Sequence, residues 1–310
     1  MKIAFRIDIG NEIGTGHFMR MSALAEAFTE LGCICEFFKN EDEPVDYSGF
    51  DIIVLDTYQV DNKYIADLNV PGRIVVCYDD NALYAYNCDI LLNANLHAAE
   101  LRFKFEGKTP SLLLGGKYAL LRRELRTAAP FVIREKADRV FVCFGGSDLR
   151  NITPRVIEAL KSMESVRLSV ALGALTSCDD EVFALANDNV SVHKTPAAIS
   201  DLMRQCDIAV TAAGSMVYEL AALGMPAITI TQADNQSLIA EYMSRNGLMK
   251  CVGDWQNVDF NNLGSEVESL LRDASRRKTE SNALKKTVDK NGAINAAGDI
   301  LKYCRNVSVL

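Results

Sequence analysis

Short apolar runs, each followed by a stretch of helical spacing, recur along almost all of this chain of 310 residues. Residues 2–8 (KIAFRID) read as an opening strand, and Met21, Leu24, Ala25, Phe28 and Leu31 then repeat at helical spacing until Gly32. Strands are expected at 51–56, 73–78 and 89–92, with a helix near 63–69. The pattern restarts with strands at 139–144, 167–171, 207–211 and 227–231, alternating with helices near 154–161, 181–186, 216–223 and 237–245. Short apolar strands bounded by helices imply parallel sheets covered on both faces. The expected fold class is therefore α/β.

The polar stretch from Arg122 to Asp138, with Pro130 inside it, reads as a linker between two such halves, residues 1–130 and 131–310. From Asn257 onward the chain reads as helices, with an apolar one around Ala293 to Leu301, expected to close the second half. The two halves share a plan but no residue-level repeat. Two Rossmann-like domains facing a cleft are the architecture this predicts.

Composition excludes several classes of partner. Charged residues make up 24% and the net charge is −8, so no basic surface exists to hold nucleic acid or anionic lipid by bulk charge. An anionic ligand has to be bound by local devices such as helix N-termini. Nine cysteines without a Cys-x-x-Cys pair read as buried reduced thiols, which suits the cytoplasm, and no zinc-ligand spacing is present. No metal and no cofactor are expected. Arg6 and Asp8 interrupt the N-terminal apolar stretch too early for a signal peptide. The run Ile208 to Ile230 has the length of a membrane span, yet Gly214, Glu219, Gly224 and Pro226 suit strand, loop, helix and strand in turn.

Four strand-to-helix junctions carry chemistry. Gly14-Thr-Gly16-His17 joins the first strand to the first helix. Glycines let a ligand approach the backbone, and the helix N-terminus offers donors, but here a histidine, suited to proton transfer near neutral pH, ends the loop. Asp8 could orient that ring or position a water. The alternative for His17 is a capping or hinge-packing residue; His97 and His193 lack a comparable setting. Gly145-Gly146-Ser-Asp148 follows the strand that opens the second half, either as a ligand loop or as a tight turn. In Ala212-Ala-Gly214-Ser215-Met216-Val217-Tyr-Glu219, amides at a helix start could hold a diphosphate and Glu219 could accept ribose hydroxyls. The same residues also read as a cap, with Ser215 at the N-cap. Asn235-Gln236, after Asp234, fits a sugar or phosphate contact or an N-cap box.

The order and spacing of these motifs resemble a known family, the UDP-sugar hydrolase of the pseudaminic acid pathway, which removes UDP from UDP-2,4-diacetamido-2,4,6-trideoxy-β-L-altropyranose. The matching residues run from Phe5-Arg6-x-Asp8 and Gly14-x-Gly16-His17-x-x-Arg20 through Asp56-x-Tyr58, Asp79-Asp80, Cys88-Asp89-Ile-Leu-Leu-Asn93-x-Asn95 and Tyr118-Ala-Leu-x-Arg122. They end with Gly145-Gly-x-Asp148, Ser215-x-Val217-x-Glu219 and Asn235-Gln236. The resemblance implies a fold of the glycosyltransferase-B type. It implies UDP on the second half, at Gly145, Gly146, Asp148, Gly214, Ser215, Met216, Val217 and Glu219. It also implies His17 with Asp8 as the catalytic pair, and sugar contacts from Gly16, Tyr78, Asn93, Asn95, Asn235 and Gln236. The expected partner is a UDP-sugar substrate. A UDP-sugar-dependent transferase of the same fold, or a non-catalytic nucleotide-sugar-binding protein, is the alternative.

Overall fold

The structure, a computed structural model, describes residues 1–8, 16–39, 44–57, 61–82 and 84–307. The chain divides into two compact units, one of residues 1–126 with 289–310, the other of residues 127–288. Within the first, β1 (Lys2–Ile7) leads to α1 (Gly16–Glu30), followed by β2 (Ile34–Lys39), β3 (Ile52–Asp56) and α2 (Asn62–Leu68). Then come β4 (Ile74–Tyr78), β5 (Ala85–Tyr86), β6 (Ile90–Asn93), β7 (Lys104–Phe105), β8 (Ser111–Leu114) and α3 (Arg123–Thr127). Six of these strands form one parallel sheet in the order β2-β1-β3-β4-β6-β8, and β5 pairs with β7 apart from it.

The second unit repeats the plan with β9 (Arg139–Cys143), α4 (Ile152–Leu160), β10 (Arg167–Leu172), α5 (Asp179–Ala184), β11 (Val190–Lys194) and α6 (Ile199–Gln205). It continues with β12 (Ile208–Ala212), α7 (Met216–Leu223), β13 (Ala227–Thr231), α8 (Ser237–Arg245), β14 (Lys250–Asp254), α9 (Phe260–Arg272) and α10 (Ala274–Leu284). Its parallel sheet runs β11-β10-β9-β12-β13-β14. The stretch 208–230, long enough for a membrane span, is thus strand, helix and strand. No helix among the described residues is long and apolar enough to cross a membrane.

Burial explains both sheets. Every residue of β3, β4, β6, β12 and β13 is buried, as expected of central strands covered on two faces. Phe5, Ile7, Val54 and Val76 pack under Met21, Leu24 and Phe28 of α1. The final helix, α11 (Gly292–Val307), was expected to close the second half, but it joins this first core instead. Its small face, Ala293, Ala296 and Ala297 with Ile300, lies in the same cluster as α1, and Gly292 lets the start of the helix press against the backbone at 118–119. A Cβ there would run into the backbone of Ala119.

Candidate active site

In a parallel sheet the strand ends that precede helices gather on one edge, and open α/β sheets bind ligands there. At that edge of the first unit, the register places Ile7 opposite Asp56 and Tyr78 opposite Leu92. Asp8, Asp56, Tyr78 with Asp79 and Asp80, and Asn93 with Asn95 therefore converge. His17 and Arg20, three apart on α1, present one face toward them. The Nδ1 atom of His17 lies 2.8 Å from a carboxylate oxygen of Asp56, and both side chains are buried. Arg20 grips that carboxylate with two nitrogens, Nε at 2.6 Å from Oδ2 and Nη2 on Oδ1. Its third nitrogen donates to Asp80 at 2.6 Å, and its guanidinium carbon sits 4.1 Å from the centre of the Tyr78 ring. Asn95 donates to the other oxygen of Asp80 at 2.9 Å.

Burial alone would push the Asp56 carboxyl up, but the charge and hydrogen bonds of Arg20, with His17, outweigh it and hold it below the usual carboxylate range. Burial would likewise lower Arg20, and Asp56 and Asp80 hold it well above its ordinary value instead. Asp56 is thus an ionised acceptor facing Nδ1, which makes Nε2 the basic nitrogen of the ring. Asp8, expected to orient the ring, is almost fully buried, and its amide donates to the Asp56 carbonyl at 3.2 Å. The carboxylate on His17 Nδ1 is that of Asp56. This partner was legible as the last residue of an apolar strand in the Asp56-x-Tyr58 match, and Arg20 as the residue one turn beyond His17.

Some predicted residues land elsewhere. Gly16 opens α1, whereas Gly14 and Tyr58 lie outside the described residues. Asn93 is fully buried and its side-chain oxygen accepts the Asn95 amide at 2.9 Å. It shapes the turn that presents Asn95, and its side-chain nitrogen has no hydrogen-bond partner among the described residues. His97, also buried, stands near Asp80; burial pushes its titration down against the pull of Asp80 and Glu100.

At the same edge of the second unit, β9 runs into Gly145, with φ +86°, and Gly146. Gly173 lets the next loop close on this one: a Cβ there would collide with the Gly146 carbonyl, and Leu175 donates to that oxygen at 2.9 Å. Asp148 was expected to contact the nucleotide. Its carboxylate instead accepts the amides of Ile152 at 3.0 Å and Thr153 at 2.9 Å, and it is 2% exposed. It caps α4, which favours a negative charge, and so shapes the loop from within.

At the start of α7, Ser215 is exposed and its hydroxyl makes no capping bond. The Val217 amide, expected to face a diphosphate, donates to the Gly214 carbonyl at 3.2 Å. Among the described residues, the amides of Gly214, Ser215 and Met216 have no backbone acceptor. Glu219 is buried on the first turn. Gln236 accepts the Gln232 amide at 2.9 Å and lies beside Gly214, while Asn235 is exposed. Arg150 reaches the Gln232 carbonyl at 3.4 Å and stacks 4.6 Å above the Trp255 ring, a cation on this edge that the motifs did not single out. No group of three metal-ligating side chains occurs among the described residues.

Three comparisons bear on this geometry. The UDP-2,4-diacetamido-2,4,6-trideoxy-beta-L-altropyranose hydrolase of Campylobacter jejuni is 25% identical over 272 residues, covering 80% of this chain and 97% of the relative. The crystal structure of Acinetobacter baumannii MurG matches with a TM-score of 0.67 and 15% identity, over 97% of this chain and all of that one. The spinosyn rhamnosyltransferase SpnG, complexed with thymidine diphosphate, matches with a TM-score of 0.64 and 14% identity, over 96% and 99%. The fold is therefore of the glycosyltransferase-B type, two Rossmann-like α/β units, and the chain is related to nucleotide-sugar-processing enzymes. A family model matches residues 129–285, just over half of the sequence, and the chain belongs to that family, the proteins of unknown function DUF354.

Proposed function

We propose that this chain hydrolyses a UDP-linked 2,4-diacetamido-2,4,6-trideoxy sugar to UDP and the free sugar, with inversion at the anomeric carbon. The observation that carries the reading is the buried His17–Asp56 pair at 2.8 Å, on the ligand-binding edge of the first sheet. It is supported by the related hydrolase, whose length this chain spans almost completely. His17 takes a proton from water as that water attacks the sugar, and Asp56 holds the ring in the tautomer that can do so. Asp8 positions the water, and Tyr78 and Asn95 contact the sugar. The second unit takes the leaving UDP: Gly145 and Gly146 admit it, the amides of Gly214, Ser215 and Met216 meet the diphosphate, and Glu219 accepts the ribose hydroxyls. Gln236 braces that loop. One in-line attack by water inverts the centre.

Purified protein incubated with a panel of UDP-sugars, without any acceptor, is expected to release free UDP from the diacetamido-trideoxy substrate. Release only on adding an acceptor hydroxyl would make the chain a transferase, the activity that the rhamnosyltransferase neighbour is named for. Tight binding with no release under either condition would make it a nucleotide-sugar-binding protein. The nine cysteines are all free thiols, which fits work in a reducing compartment.

A further inference from the structure

Arg20 has no direct part in the chemistry proposed above, yet it contacts four side chains at that edge. It forks onto Asp56, reaches Asp80 and lies on Tyr78. Its Nη2 is also 3.2 Å from His17 Nδ1. A fixed positive charge thus stands beside both the ring and the carboxylate that orients the ring. Among the described residues, the titratable and charged groups in contact with His17 are Arg20 on its own helix and Asp56 at the end of β3, with Asp8 beyond β1 bonded through its amide to the Asp56 carbonyl. On the far side of Arg20 come Tyr78 at the end of β4 and Asp80 after it, with His97 near Asp80.

We propose that Arg20 is a positioning residue that keeps His17 available as a proton acceptor, by sharing Asp56 and by opposing charge on the ring. This rests on the reading of His17 as the base. A buried carboxylate alone against an imidazole favours the imidazolium, because an opposite charge within about 4–6 Å stabilises the charged form. An imidazolium cannot take a proton from water. Arg20 divides the carboxylate between two partners, so Asp56 orients the ring without locking it into an ion pair. A guanidinium does not lose its proton in proteins, so this opposition is constant with pH. Asp80 and Tyr78 hold the guanidinium in place. A lysine would supply the charge but not the fork.

The chain has only three histidines, so ring nitrogens labelled with nitrogen-15 can be followed singly by proton–nitrogen correlation, with His17 assigned by its loss in His17→Gln. In Arg20→Gln the His17 titration midpoint is expected to move to higher pH by about one unit, the effect of losing one adjacent like charge. The acid limb of kcat/KM for UDP release should move with it. Arg20→Lys should keep the midpoint near that of the wild type while kcat falls. Arg20→Gln leaves Asp56 buried without its partner and can cost folding. For that case Asp56→Asn is compared with Arg20→Gln/Asp56→Asn, and the midpoint should again be higher without the arginine. A midpoint unmoved or lowered on removing Arg20 overturns the proposal. A raised midpoint in a protein that releases no UDP upholds the tuning and removes the hydrolase reading; UDP release with an unmoved midpoint does the reverse.

Discussion

At the edge of the first sheet where its strands lead into helices, the strand ends carry Asp8, Asp56, Asp79 and Asp80, met by His17 and Arg20 from α1. At the same edge of the second sheet the strand ends lead into Gly145, Gly146, Gly173 and Gly214, and the buried Asp148 is occupied in capping α4. Both sheets are six-stranded, parallel and similarly ordered. The topology therefore fixes where a ligand can be met, and the residues at the junctions fix how. In the first unit titratable side chains gather at that edge in contact with one another; in the second the edge offers backbone amides and one buried carboxylate, Glu219. A base needs a movable proton, and a diphosphate needs only fixed dipoles.

If the difference is one of function, the two edges should fail in different ways when damaged. The largest effect belongs to His17: His17→Asn is expected to lower kcat by about 10²–10⁴-fold with KM much less changed, measured as UDP release at saturating substrate. Near-normal turnover would erase the contrast between the units. Asp56→Asn should cost a comparable factor, because an amide in place of the carboxylate no longer selects the working tautomer. The double variant should be little worse than His17→Asn alone, since groups acting as one unit are not additive. Fully multiplicative losses would show that Asp56 acts elsewhere.

The second edge should answer to binding instead. By calorimetry, Glu219→Ala is expected to weaken UDP by about 1–3 kcal/mol, the size of a lost hydrogen bond to a charged group, while His17→Ala leaves UDP affinity unchanged. UDP binding that ignores Glu219 and depends on His17 would reverse the assignment of the two units. The smallest effect is on stability. Asp56 is held below the ordinary aspartate value of 3.8, so its stabilisation is present above that value and is lost as pH falls through the lowered one. Urea melts of wild type and Asp56→Asn should therefore converge on acidification below the ordinary value; a gap that widens there would contradict this account.

What the sequence made legible follows from burial. The eight strands read from their apolar runs, β1, β3, β4, β6, β9, β10, β12 and β13, are the interior strands of the two sheets. The strands missed there, β2, β8, β11 and β14, are the four sheet edges. An edge strand is half exposed, so Ile34–Lys39 and Lys250–Asp254 carry no continuous apolar run to announce them. The C-terminal helix was legible as a helix but not as part of the first unit, because its alanine face fits α1 only once the fold exists. At the site, glycines and His17 stood out because their types are tied to a role. Asp148 and Asn93 did not declare that they face inward, because capping and ligand contact call for the same polar residues at strand ends. The Arg20 network joins residues from α1, β3 and the segment after β4, and only the sheet register brings them together.

The central claim, a histidine-activated water on a UDP-sugar, is tested most directly by following the wild-type reaction at early times by proton NMR, with the diacetamido-trideoxy substrate and no acceptor. The account predicts free UDP together with a sugar whose anomeric configuration is inverted relative to the substrate. A retained anomer, or no UDP released without an acceptor, would contradict it.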